Sequence, residues 1–120
     1  MNSTIEIIEN WPNGNVRRIY TAIDQKEYTK CGEYREWYPD GQIRIQTSYL
    51  NGKLHGEYRK WYNTKKLNVC YKVTSGWEDG NQLAMKASFI NGNLEGDCRK
   101  WNLNCQATTW NVYENGKLIK

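Results

Sequence analysis

Five of the six tryptophans, Trp11, Trp37, Trp61, Trp77 and Trp101, stand at the head of copies of one short unit. In each later copy an aliphatic or Ala residue follows six positions on (Ile43, Leu67, Leu83, Ala107), and a second landmark comes six beyond it (Tyr49, Val73, Phe89, Tyr113). The first copy is offset, with Val16 five positions after Trp11. Spacings of 26, 24, 16 and 24 residues between the tryptophans mark a repeat architecture with one shortened copy.

Turn dipeptides punctuate the chain at Asn13-Gly14, Asp40-Gly41, Asn51-Gly52, Asp79-Gly80, Asn91-Gly92 and Asn115-Gly116. They supply the positive φ angles of a type I′ turn and so predict hairpins. Weaker turns near Asn63-Thr64 and Asn104-Cys105 fill the gaps. Between turns the residues alternate: Ile43, Ile45, Thr47 and Tyr49 against Gln42, Arg44, Gln46 and Ser48, with the same rhythm in Leu67, Val69, Tyr71, Val73 and in Leu83, Met85, Ala87, Phe89. That is the period of a half-buried strand. No segment shows a 3.6-residue period, and the short polar stretch from Asp24 to Lys30 reads as a loop or a strand extension.

The expected fold is all-β, an elongated antiparallel meander of stacked hairpins. It forms one domain over residues 1–120, with units at roughly 5–31, 32–55, 56–76, 77–95 and 96–120. After Val73 the chain reaches Trp77 through Thr74-Ser75-Gly76 alone, which leaves almost no room for a first strand. The array is expected to bend or be interrupted there.

The first strands carry a sharper motif, Gly32-Glu33-Tyr34-Arg35-Glu36-Trp37, repeated at Gly56 to Trp61 and at Gly96 to Trp101 with Cys98 in the tyrosine slot. Tyr and Trp three apart lie on opposite faces of a regular strand. Either both faces of the sheet are aromatic, or a bulge near the Arg brings the rings together. Upstream of the second and third copies stand Asn51-Gly52-Lys53-Leu54-His55 and Asn91-Gly92-Asn93-Leu94-Glu95, and the piece begins again at Asn115.

Aliphatic residues are scarce beside nine Tyr and six Trp, so burial must come from rings whose hydroxyl or indole N–H needs a partner. That favours a thin, half-wet sheet. Seventeen basic and thirteen acidic residues are interspersed, and the net charge of +4 is too mild for a polyanion-binding signature. No apolar run is long enough to span a membrane, and the first residues lack the pattern of a secretory signal. A soluble, cytoplasmic protein is expected. Cys31, Cys70, Cys98 and Cys105 form no CxxC pair, and with a single His in the chain they read as reduced structural thiols; no metal or other cofactor is expected.

The pattern G-E-Y-R-x-W-Y-x-D-G-x-I followed by Y-x-N-G-K-L-x-G, carried best by residues 32 to 67, resembles the MORN repeat, and more closely its YwqK-type variant of bacteria and large DNA viruses. The resemblance implies a row of β-hairpins in one twisted sheet, serving as a protein-interaction or scaffolding module. It also implies an antitoxin or immunity-type inhibitor as an alternative, contact with membrane lipid by family analogy, and, for a viral member, residence in the host cytoplasm or virion.

Catalysis needs convergent groups, and the chain offers few. The common nucleotide, metalloprotease and nucleophile-elbow patterns are absent, and His55 occupies the slot that holds Glu95 in another copy. A non-enzymatic protein is therefore expected. The acids Glu33, Glu57 and Asp97 recur in register, as do Arg35, Arg59 and Arg99 two residues later. They read as an exposed ladder or as a stripe that receives a partner. The candidate partner-binding residues are Tyr34, Arg35, Trp37, Tyr58, Arg59, Trp61, Arg99, Trp101 and Trp110. In the inhibitor reading, Glu33, Glu36, Glu57 and Asp97 would engage a basic active site. The periodic placement of the rings argues against nucleic acid. Trp110 breaks the repeat on a mostly polar strand face and is expected to be solvent-facing or covered by a partner. Unpaired terminal strands allow a homodimer through a sheet edge.

Overall fold

The computed structural model describes residues 3–23, 29–63, 77–78, 81–103 and 106–120. Its strands are β1 (Thr4–Asn10), β2 (Val16–Ile23), β3 (Thr29–Trp37), β4 (Ile43–Leu50), β5 (Lys53–Leu54), β6 (Gly56–Trp61), β7 (Trp77–Glu78), β8 (Asn81–Ile90), β9 (Asn93–Trp101), β10 (Ala107–Glu114) and β11 (Lys117–Leu118). They form one open antiparallel sheet in the order β1-β2-β3-β4-β6-β8-β9-β10-β11, with β5 beside β4 and β7 beside β8. The molecule measures 49 × 42 × 17 Å, the short dimension holding a single sheet and its side chains. The all-β hairpin meander expected from the repeat is the fold observed.

Two kinds of turn alternate along the sheet. At Asn51-Gly52, Asn91-Gly92 and Asn115-Gly116 both residues have positive φ, about 50° for Asn and 81° to 85° for Gly. These are the type I′ turns that the sequence predicts. At Asn13-Gly14 and Asp40-Gly41 the glycine alone is positive. There the hairpin closes through a longer loop: Gly14 N donates to the Trp11 carbonyl and Trp11 N to the Asn15 carbonyl, and Gly41, Tyr38 and Gln42 repeat the arrangement. The expected I′ turns at these two sites are thus type I-like turns closed by a left-handed glycine. Asp79-Gly80, Asn104-Cys105 and the turn at Asn63-Thr64 lie wholly or partly outside the described residues.

Loop closure fixes which residues are equivalent. Tyr62 N donates to the Gln82 carbonyl and Asn102 N to the Gln106 carbonyl, as Tyr38 N does to Gln42. Tyr62 and Gln82, and Asn102 and Gln106, therefore hold the places that Tyr38 and Gln42 hold in the preceding hairpin. The partner of β6 is β8, with Trp61 opposite Leu83 and Tyr58 opposite Ala87. Leu83 was expected to belong to Trp77; instead Trp77 pairs with Gln82 in the two-residue β7. The expected strand Leu67 to Val73 lies outside the described residues. Nor does the sheet break at this point, since β8 pairs β6 on one side and β9 on the other. In the first hairpin Val16 pairs with Asn10, so Asn10 takes the Trp37 position and Trp11 takes the Tyr38 position. That displacement is the physical reason for the five-residue offset.

Each hairpin carries a bulge next to its loop, where one residue of the first strand faces two of the second. The additional residues are Arg17, Arg44, Ala84 and Thr108. Because they sit on the second strand, the first strand alternates without interruption from Tyr34 to Trp37; its own irregularities lie earlier, around Gly32 in β3 and Gly96 in β9, where the pairing to the preceding strand shifts register. Tyr34 and Glu36, joined by a 2.6 Å hydrogen bond, share one face. The motif tryptophans Trp37, Trp61 and Trp101 lie on the other, where Trp61, Leu83 and Trp101 form the core cluster with Ile43 against it. Of the two alternatives for the Tyr-Trp motif, the sheet adopts the one with aromatic rings on both faces. Ile43 was expected to share a face with Ile45; the bulge turns it to the tryptophan side and brings Arg44 to the Tyr34 side, 3.0 Å from Glu36.

Two ladders lock each hairpin to the next. In the first, Trp11 Nε1 donates to the Trp37 carbonyl (3.0 Å), Tyr38 Oη to the Trp61 carbonyl (2.7 Å) and Tyr62 Oη to the Trp101 carbonyl (2.6 Å). In the second, the turn glycines Gly52, Gly92 and Gly116 donate their N–H to the carbonyls of Lys30, Leu54 and Leu94. Asn91 N also donates to His55 Nδ1, and Asn115 N to Glu95 Oε1, so His55 is a repeat-to-repeat acceptor equivalent to Glu95. This is the nearest-neighbour stacking of a repeat protein.

Candidate functional site

Among the described residues the strands form a single open sheet, so its candidate surfaces are its two faces. On the tryptophan face, Trp61 and Trp101 are 0% and 4% exposed and Trp37 is half-buried. Beyond this cluster, direct cross-strand pairing puts Arg35 opposite Gln46, Arg59 opposite Lys86, and Arg99 opposite both Lys86 and Trp110. Arg35 pairs with Glu33 at 3.4 Å and Arg59 with Glu57 at 2.9 Å, as two residues on one strand face can. Arg35, Glu33 and Glu57 are exposed and Arg59 is half-buried; contacts with an exposed partner contribute about 0.2–1 kcal/mol each.

The end of the stripe differs. Trp110 is 63% exposed, and the Arg99 guanidinium lies 3.8 Å from its ring centre. Where Arg35 and Arg59 reach acids two residues away, Arg99 meets an aromatic plane. Beside it a cleft of about 460 Å³ is lined by Glu57, Lys86, Ser88, Asp97, Arg99 and Trp101. Trp110, expected to be solvent-facing or covered by a partner, is exposed in the single chain.

The opposite face is a tyrosine face. Tyr34 is 6% exposed, between Tyr20 at 5.7 Å and Tyr49 at 5.6 Å. Burial, then the hydrogen bond to Glu36, pushes its hydroxyl up to about 12, partly opposed by the Arg18 bond. Arg18 is itself held more firmly protonated, chiefly through its bond to Glu9. Tyr58 packs edge-on against Phe89 at 5.9 Å, and burial raises its hydroxyl and those of Tyr38 and Tyr49. Cys98, buried in the same slot, has its thiol raised by desolvation.

The nine candidate residues therefore separate. Tyr34 and Tyr58 face one side; Arg35, Arg59, Arg99 and Trp110 face the other, with Trp37, Trp61 and Trp101 as the packed end of that side. Glu36 is on the tyrosine side with Tyr34 and Arg44, away from Glu33, Glu57 and Asp97. Among the described residues no group of three or more His, Cys, Asp or Glu side chains could hold a metal ion, and no helix is long and apolar enough to cross a membrane. Sequence reasoning missed Tyr38 and Tyr62, which join successive hairpins; their signal was the Trp-Tyr dipeptide at 37–38 and 61–62.

Residues 30–51 match the family model of the MORN repeat variant. The match covers β3 from Lys30 onward, β4 and the first residue of the type I′ turn, so this hairpin is similar to a MORN repeat. No curated protein and no solved structure matches the chain. MORN repeats are in general protein- or membrane-binding modules and are typically non-catalytic.

Proposed function

We propose that the chain is a non-catalytic interaction module that binds another protein through the face bearing Arg35, Arg59, Arg99 and Trp110. The observation that carries this reading is Trp110. In the preceding hairpins its position is held by Gln46 and Lys86, so the fold does not require an aromatic ring there. A large exposed Trp stacked on an Arg is the composition that dominates protein-interface energetics. The recurrence of the matched motif at Gly56 to Trp61 and Gly96 to Trp101 supports reading the other hairpins as the same YwqK-type repeat.

The test is affinity capture from cells of the source, beside Trp110→Ala and the triple variant Arg35→Ala, Arg59→Ala, Arg99→Ala, with quantitative mass spectrometry. A stoichiometric partner lost in both variants supports the face. Recovery of the same proteins by wild type and variants removes it. The inhibitor reading shares this face through the exposed acids Glu33, Glu57 and Asp97. A tight one-to-one complex that silences an enzyme, weakened by Glu33→Lys and Glu57→Lys, would favour it over the scaffold.

A further inference from the structure

On the tyrosine face, the Lys30 ammonium lies 5.3, 5.8 and 5.4 Å from the ring centres of Tyr20, Tyr34 and Tyr49. Three adjacent strands supply the rings, with Tyr20 directly opposite Tyr34 and Tyr49 opposite Gly32, two positions along β3. The Tyr20 and Tyr34 planes are inclined by 31° and the Tyr34 and Tyr49 planes by 69°, so the rings make differently turned walls. Tyr34 is fixed by its burial and by Glu36. All three centres fall within the roughly 6 Å over which a cation is attracted to an aromatic face. No carboxylate among the described residues lies within ion-pairing distance of Lys30.

The repeat shows that the fold does not need a cation here. Lys30 accepts the Gly52 N–H at its carbonyl, as Leu54 accepts from Gly92 and Leu94 from Gly116, so the three residues share a slot. The two later slots hold leucine. Around them the ring positions change as well: Tyr20, Tyr34 and Tyr49 correspond to Thr47, Tyr58 and Phe89 in the next hairpin and to Ala87, Cys98 and Tyr113 in the one after. The three-tyrosine arrangement and its cation occur together in one copy.

We propose that Tyr20, Tyr34 and Tyr49 form a cage for a lysyl ammonium group of a partner protein, its methylated forms included, which Lys30 occupies until displaced. The occupant is a lysine because the resident is one: an ammonium on a four-carbon stem already fits between the rings. Methylation keeps the charge while removing hydrogen-bond donors that the ring faces do not satisfy, so the trimethylated side chain is the stronger competitor. This surface is separate from the arginine face and requires nothing of it.

The test uses the full chain and Nα-acetyl-trimethyllysine amide, followed through the NMR signals of the tyrosine rings. Three rings around one small cation give a dissociation constant on the order of 1 mM for such a probe. Lys30→Ala removes the resident ammonium, leaving Arg18, which is paired with Glu9, 5.3 Å from the Tyr20 ring centre, and tightens binding about tenfold, the factor expected if the resident holds the site about nine-tenths of the time. Lys30→Leu, which copies Leu54 and Leu94, refills it with an uncharged stem and loses binding. Lys30→Ala combined with Tyr49→Leu also loses binding, while far-ultraviolet circular dichroism reports that each variant is folded. Absence of a saturable shift in Lys30→Ala overturns the proposal, as does equal binding by Lys30→Ala and either loss variant. Binding to phosphocholine vesicles without binding to the lysyl probe overturns it in favour of a lipid headgroup.

Discussion

Tyr38→Phe isolates one rung of the ladder between hairpins. The ring stays, and with it the Arg44 guanidinium 5.6 Å from its centre; what disappears is the 2.7 Å bond from Oη to the Trp61 carbonyl. Burial already raises this hydroxyl above its ordinary pKa, so the group is withdrawn from water and the folded state cannot replace the bond fully with solvent. A net hydrogen bond contributes about 0.5–1.5 kcal/mol, and an acceptor left under-satisfied adds to the loss, so the substitution should cost about 1–2 kcal/mol. For 120 residues the unfolding entropy is roughly 0.25 kcal/mol/K, which converts the loss to a fall in Tm of about 4–8 °C. Thermal unfolding followed by circular dichroism reads it directly. Tyr62→Phe, which removes the 2.6 Å bond to the Trp101 carbonyl, should give a shift of similar size. A change below about 1 °C in both variants would refute the claim that these hydroxyls couple the repeats.

Trp61→Ala empties the centre of the core cluster, where Trp61 is 0% exposed, and should lower stability by about 3–5 kcal/mol, whereas Arg35→Ala should change it by less than about 0.5 kcal/mol; equal urea midpoints would reverse the assignment of core and surface. Tyr34, raised to about 12, gives stability that is complete below the ordinary tyrosine pKa of about 10 and is lost as pH climbs through the folded value, on the order of 2–3 kcal/mol in all. Urea midpoints should therefore fall between about pH 9 and pH 12, less steeply in Tyr34→Phe, and identical slopes would contradict the burial of that hydroxyl. Gly96 has φ of +81° with open space where a Cβ would stand, so Gly96→Ala should cost about 1–2 kcal/mol by backbone strain alone and Gly96→Asn less; equal losses would point to packing instead. β1 pairs on one side with β2, leaving its outer edge open among the described residues, so a sheet-edge homodimer is a further proposal. Light scattering that gives the monomer mass at every concentration would reject it.

Periodicity made the hairpin meander legible, because alternation and Asn-Gly turns act through local backbone preferences that a sequence displays directly. It failed at Trp77, whose surroundings mimic those of Trp37 down to the Asp-Gly dipeptide and an aliphatic residue six positions on. Local pattern could not reveal that Leu83 pairs with Trp61 across a long connection, since register is settled by which strand wins the sheet edge. The same limit hid the faces. A bulge residue such as Arg44 looks like any other member of an alternating strand, yet it reverses the side on which Ile43 lies. The arginine stripe was visible by spacing, but its division from Tyr34 and Tyr58 depended on where those bulges fell.

The two ladders also limit which residues can serve a partner. Trp11, Tyr38 and Tyr62 join one hairpin to the next, as do the turn glycines, His55 and Glu95. A residue demanded at every step of the array is held by its neighbours, and changing it to meet a ligand would loosen the sheet. The positions free to specialise are those where one copy departs from the others without breaking either ladder. Trp110 departs from Gln46 and Lys86 on one face; Lys30 departs from Leu54 and Leu94 on the other. Each departure places a large or charged group where the fold accepts a smaller or neutral one, and each pairs a cation with an aromatic ring. Changes at these two sites should therefore separate from stability: Trp110→Gln and Lys30→Leu restore residues that the repeat itself uses and should leave the unfolding midpoint nearly unchanged while altering whatever the two faces bind. A large loss of stability in both would show that the departures serve the fold.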